Sequence, residues 1–484
     1  MYVHYFFVPT RLLMSNDKDW ETFLTGGKDG TDNSVSLPLW VFGNFKGTQN
    51  DSFNDPFSNS VRFGRYSLWD YFGLPYVVSD TSSSGKIRTS NNVLAFPQKA
   101  YNLVWNEFYR DENLCDEVSL LNGTILYRAW KKDYFTSALP WQQRGVSPAL
   151  PISGSLPVTI SSFSLNNPWF SLQGADTNPM TYGFGNGSNN TYSFIVDSNA
   201  QVAQGDRKLV DGLTGTPVVT GTADLSKGTT FDVAVLREAF QIQRWLELNA
   251  RAGVRYTEFL NAHFGIAPRD EVLQRPEYLG GTKSEIVVSE VLQTSATSDA
   301  SPQGNLAGHG LGAMSDFICS YTAKEFGYII GIASWMPKPS YQQGVNRIFS
   351  RKTKYDFYFP EFAHLSEQAV SKGEIYATGD DAHDNSIFGY QSAYAEMRYM
   401  PSINCADMRD TYSYWHLGRI FSSDPSLNAG FLTTNSKFSG GIRKDIFAVQ
   451  NEPGLIVNFA NVVKAVRPLP VYGTPGFIDH VGRM

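Results

Sequence analysis

The sequence predicts a mainly β protein, an antiparallel sandwich with long excursions, and three observations point there. Glycine (42) and proline (24) are frequent enough among 484 residues to favour many turns over long helices. β-Prone runs are short and scattered along the whole length. No regular helix follows each of them, which argues against a doubly wound parallel sheet. At this length the chain can hold several average domains or one large β domain with insertions.

The elements follow in order. Tyr2-Val-His-Tyr-Phe-Phe-Val8 is β-prone and closed by Pro9, so the chain opens inside what reads as a strand. Between Ala100 and Asn113, Tyr101, Val104, Trp105 and Phe108 recur at helical spacing and form one apolar face. From Gly145 to Lys227 charges thin out while Ser, Thr, Asn and Gly abound, the mark of an insertion. Asp232 to Arg251 carries a stripe of Val235, Ala239, Ile242 and Leu246, preceded by Thr229 and Asp232 at capping-box spacing. Gly253 ends or bends that helix, and Arg255 to Phe264 reads as a further turn or two. Ile286–Leu292, Gly327–Ala333, Tyr355–Phe359 and Leu455–Val466 are the remaining strand candidates. The expected partition is 1–144 for the start of the core, 145–228 for a surface insertion and 229–484 for helix, later strands and a C-terminal arm, one domain overall.

Aromatic residues reach 14% while charged residues reach only 18%, as expected where much surface is buried between subunits. A net charge of −6 means that a general excess of cations cannot neutralise an enclosed nucleic acid. Basic clusters at Arg128 to Lys132 and at Arg347, Arg351, Lys352 and Lys354 read as solvated faces or interface rims. Cys115, Cys319 and Cys405 are isolated, which disfavours a disulfide framework or a zinc site and fits folding in a reducing compartment. No run is apolar for long enough to cross a bilayer, and a signal peptide's regions are absent.

Catalytic signatures are missing. No Gly-x-Ser-x-Gly or His-Glu-x-x-His occurs, and Gly27-Lys28 is followed by Asp29, where a phosphate loop needs Ser or Thr. Gly379-Asp-Asp-Ala-His-Asp-Asn385 is dense in ligand atoms, but lacks the spacing of a calcium loop and reads as a solvated acidic loop. Gly308-His-Gly-Leu-Gly312 has no strand-turn-helix context and reads as a flexible loop. Asp380, Asp381, Glu361 and Glu396 offer carboxylate pairs of the kind glycosidases use. A β-sandwich carbohydrate-active protein is therefore the alternative to a structural one.

Two distant segments, Trp130-Lys-Lys-Asp-Tyr-Phe-Thr-Ser-Ala-Leu-Pro-Trp141 and Arg467-Pro-Leu-Pro-Val-Tyr-Gly-Thr-Pro-Gly-Phe477, carry a resemblance. It continues through Gly253–Phe259, Gln274–Gly280, Gly327–Ala333, Phe388-Gly-Tyr-Gln391 and Tyr414-Trp-His-Leu-Gly418. The chain resembles the major capsid protein of the Microviridae, small icosahedral single-stranded DNA phages, in its gokushovirus-type branch. That resemblance implies an eight-stranded antiparallel viral jelly roll, complete or lacking its first strand, with long loop and helical insertions. It implies a non-enzymatic subunit that builds a sixty-copy T=1 shell through pentamers, located in the virion and assembled in the bacterial cytoplasm. The implied partners are other copies, circular single-stranded DNA, an internal scaffolding protein, a small basic DNA-packing protein, a DNA pilot protein and a host surface receptor. A receptor-binding phage spike, trimeric in place of a closed shell, is a further alternative.

The resemblance turns the insertion into a surface protrusion, with Trp169, Phe170, Tyr182 and Phe184 as receptor-facing candidates. Pro337, Pro339, Arg467, Pro468, Pro470, Tyr472 and Pro475 are candidates for arms laid on a neighbouring subunit, since proline holds extended chain at low entropic cost. No catalytic, cofactor or metal residue is assigned. Family members carry a segment ahead of Met1 that holds the first barrel strand. The chain is expected to be shortened there, leaving Leu455–Val466 as an unprotected sheet edge.

Overall fold

The computed structural model describes residues 1–16, 18–40, 67–74, 93–148, 233–292, 306–363, 367–447 and 454–467, with short strands between 158 and 223 described by their backbone. Strand β1 (Tyr2–Pro9) is followed by helices α1 (Asp19–Thr25), α2 (Leu68–Tyr71) and α3 (Phe96–Val104). Strands β2 (Val158–Phe163), β3 (Trp169–Gln173), β4 (Met180–Gly183), β5 (Lys208–Asp211) and β6 (Val219–Ala223) come next. Helices α4 (Val233–Ala252) and α5 (Tyr256–Phe264) lead into β7 (Glu277–Lys283), β8 (Val287–Leu292), β9 (Leu306–Leu311), β10 (Gly327–Ser334) and β11 (Ser340–Tyr341). The chain continues through β12 (Glu367–Ser371), α6 (Asp381–Asp384), β13 (Ile387–Ser392), β14 (Ser402–Ile403) and α7 (Ala429–Leu432). It divides into two units, 1–142 with 248–484, and 143–247.

In the first unit β1 lies between β10 and β7, antiparallel to both, with Phe6 opposite Ile330 on one side and Tyr278 on the other. Phe6, Phe7 and Val8 are all buried, so consecutive apolar residues fill both faces of this strand. One face receives α3, whose Phe96, Ala100 and Val104, spaced four apart, pack against Phe6 and Val8.

The helix starts at Phe96 and not at Ala100, because Pro97 in its first turn presets the backbone and needs no hydrogen-bonded N–H. It continues as a π turn over Trp105–Tyr109 and stops there, short of Asn113. The stop is chemical: Asp111 Oδ1 accepts from the N–H groups of Asn113 and Leu114, which closes a local turn in place of another helical one.

A second core cluster gathers Tyr134, Phe135, Tyr341, Val370, Ile375, Phe388, Phe421 and Phe431 around the antiparallel pair β12–β13 and the short parallel pair β11–β14. Each such side chain fully removed from water contributes about 1.5 to 3 kcal/mol. Tyr355–Phe359 is not a strand. Lys354–Asp356 forms a 3-10 turn capped by Thr353 and Asp356, and Tyr355, Phe357, Tyr358 and Phe359 stay exposed. The run lacks a paired edge to join, so β propensity alone does not make it a strand. Residues 455–466 likewise run extended without strand pairing.

The second unit holds two antiparallel sheets, β2–β6 and β4–β3–β5. Thr229 and Asp232, read as the cap of α4, lie outside the described residues. The chain is mainly β with antiparallel sheets, and β11–β14 is the parallel exception among the described strands. Among the described residues no helix is long and apolar enough to cross a membrane.

Candidate assembly surface

The surface rests on a buried polar junction. The Tyr134 hydroxyl donates to Glu374 Oε2 at 2.8 Å, and Arg347 Nη1 lies 3.2 Å from Glu374 Oε1 while donating to the Ala369 carbonyl at 2.6 Å. Burial raises the Glu374 carboxyl above its ordinary range, against the pull of the Ser371 N–H and the Tyr134 hydroxyl. Burial beside that carboxylate likewise pushes the Tyr134 phenol up, which keeps it the donor. Next to it Glu396 accepts from Gln368 Nε2 at 2.6 Å and faces Arg351 at 3.6 Å. An open cleft of ≈ 480 Å³ runs above, lined among others by Tyr134, Tyr341, Arg347, Glu374, Glu396 and Tyr399. Both carboxylates are held by cations and donors of the same chain, so neither is free to act as acid or nucleophile.

Arg419 anchors the adjoining wall. Its guanidinium is buried, sits 4.1 Å from the Phe431 ring centre and 5.0 Å from that of Trp130, and donates to the Gly440 and Phe431 carbonyls at 2.8 and 2.6 Å. Four aromatic faces replace the lost water shell. The loops on this platform carry large apolar side chains into solvent: Phe349 is 83% exposed and Met400 90%, with Tyr355, Phe357, Trp415 and Ile403 near half. Exposed apolar surface on this scale marks an interaction face.

The acidic loop does different work from metal binding. Asp380 caps α6 by accepting from Ala382 N–H, and Asp384 accepts from Thr378 and Gly379 N–H at 2.9 and 3.0 Å. His383 bridges Asp384, 2.9 Å away, and Asp424, 3.3 Å away. Among the described residues no group of acidic, His and Cys side chains is placed to hold a metal ion.

Of the residues singled out from sequence, Pro337 and Pro339 are half-buried in the link from β10 to β11, where Met336 Sδ accepts from Lys131 N–H. Arg467 is exposed at the end of the extended segment. Trp169 and Phe170 lie in β3 and Tyr182 in β4, with Phe170 opposite Tyr182 in register. Phe184, Pro468, Pro470, Tyr472 and Pro475 lie outside the described residues. The basic clusters are not plain solvated faces: Arg347 and Arg351 are drawn in by buried glutamates, and Arg128 lies over the rings of Tyr2 and Tyr109. Sequence reasoning missed Glu374, Tyr134 and Arg419 as structural centres. Only the Tyr134 segment carried a signal, within the Trp130–Trp141 resemblance.

Antiparallel sheets, carboxylates engaged by their own chain and aromatic loops open to a partner define a structural subunit. The chain belongs to the capsid protein (F protein) family, whose profile matches residues 1–477. It is similar to Capsid protein VP1 of Bdellovibrio phage phiMH2K, 34% identical over 498 residues that cover 98% of this chain and 84% of that one. Capsid protein VP1 of Chlamydia phage 1 is 32% identical, covering 98% and 85%. Capsid protein VP1 of Spiroplasma virus 4 is 32% identical over 84% of this chain and 77% of that one. The protein is a phage capsid subunit of the virion, structural and not enzymatic.

Proposed function

We propose that this subunit forms a T=1 icosahedral shell of sixty copies through pentamers, around circular single-stranded DNA. The observation that carries the reading is the family match over nearly the whole chain, joined to aromatic loops whose apolar side chains stand in water in the single subunit. A shell closes when each interface fixes one rotation, and rigid loop platforms such as that over Glu374 and Arg419 supply that precision. The core is read as a jelly roll, of which β10–β1–β7 is one sheet, and the 145–228 segment as a surface protrusion bearing Trp169, Phe170, Tyr182 and Phe184 toward a host receptor.

A net charge of −6 requires counter-cations from elsewhere for the packaged phosphates, which supports a small basic DNA-packing partner. An internal scaffolding protein and a DNA pilot protein complete the proposed set. Electron microscopy of the purified protein tests the reading: small isometric particles with five-fold vertices are expected, and a chain that stays monomeric at every concentration would falsify it.

A further inference from the structure

We propose that residues 455–466 add as a β-strand to an open sheet edge of a second copy of this chain. The inference rests on the shell reading, which surrounds every subunit with copies of itself. The segment Leu-Ile-Val-Asn-Phe-Ala-Asn-Val-Val-Lys-Ala-Val is β-prone, contains no proline and carries a single charge, Lys464. Its backbone is extended, and among the described residues none of its N–H or C=O groups has a backbone partner. Ile456, Val462 and Val466 are 102%, 100% and 94% exposed, as open as side chains become.

One side-chain bond ties the segment to its own chain among the described residues: the Tyr5 hydroxyl donates to Asn461 Oδ1 at 2.5 Å. Twelve extended residues reach roughly 40 Å. That exceeds the eight-residue β1 on which Tyr5 sits, so the segment overhangs its own sheet at one end at least. An unpaired row of backbone groups flanked by apolar side chains recruits a further strand, with main-chain bonds for affinity and alternate side chains for register. Each copy offers such an edge. The longest is the outer side of β10, bonded only to β1, where Gly327 and Gly331 present no side chain to an incoming strand.

Amide hydrogen exchange on the purified chain alone, compared between dissociated subunits and assembled particles, tests this. Residues 455–466 are expected to exchange freely in the dissociated chain and to gain about 100-fold protection on assembly. Protection already present in the dissociated chain means that its own polypeptide covers the segment and overturns the proposal. Particles whose segment still exchanges freely overturn it too, while leaving the shell reading intact.

The variants Ile456→Asp and Val462→Asp, at positions that touch nothing in the single subunit, give an independent readout. Their thermal melts as dissociated subunits should match the parent, and the yield of particles by sedimentation should fall at least tenfold. Particle yields equal to the parent's would sink the proposal.

Discussion

The Tyr134 hydroxyl and the Glu374 carboxylate meet at 2.8 Å across 240 residues of sequence. Their bond fastens the loop before Ala138 to the turn after β12, and Arg347 completes the junction from a third segment. A carboxylate this buried is tolerable only while both partners stay in place.

Removal of Glu374 should therefore be costly. Glu374→Ala leaves Arg347 without its counter-charge and should lower stability by about 3 kcal/mol, against about 1 kcal/mol for Tyr134→Phe. Urea unfolding of the dissociated subunit measures both, and equal midpoints for the two variants would show the junction to be unimportant.

Arg419 should not tolerate lysine. An ammonium cannot serve two carbonyls and several ring faces at once, so Arg419→Lys should lower stability by about 2 kcal/mol. Arg443→Lys, at a half-buried arginine that faces Asp445, serves as the comparison and should change little.

The loop around His383 should respond to pH from both sides. Asp384, held low chiefly by the Thr378 backbone N–H, contributes stability above the ordinary carboxylate range that is lost as pH falls through its lowered value. His383, raised above 6.5 first by Asp384, contributes stability that is full below 6.5 and lost as pH rises through its raised value. NMR titration should place the imidazole above 6.5, and Asp424→Asn should bring it part of the way back.

Changes on the aromatic loops should separate folding from assembly. Phe349→Ser and Met400→Ser remove side chains already in water, so the unfolding free energy should move by less than about 0.5 kcal/mol. Particle yield should drop several-fold if these loops meet a neighbouring subunit.

Much of the frame was legible because periodicity and burial agree. β1, β8, β10, α4 and α5 stand within a residue or two of where apolar spacing puts them. Tyr355–Phe359 and Leu455–Val466 were misread for one shared reason: a β-prone run becomes a strand only where an edge awaits it, and in the isolated subunit none does. The start of α3 was written in Pro97 and overlooked. Glu374, Tyr134 and Arg419 were illegible because their meaning lies in contacts that only the folded chain brings together.

The position of β1 has a consequence for synthesis. Its eight residues leave the ribosome first, yet both neighbours, Glu277–Lys283 and Gly327–Ser334, are encoded hundreds of codons later. At 5 to 20 residues per second, the nascent chain carries Phe6, Phe7 and Val8 unsheltered for roughly 15 to 65 seconds before β10 emerges. A phage that makes this protein in quantity thereby leans on the chaperones of its host at the amino terminus of every copy.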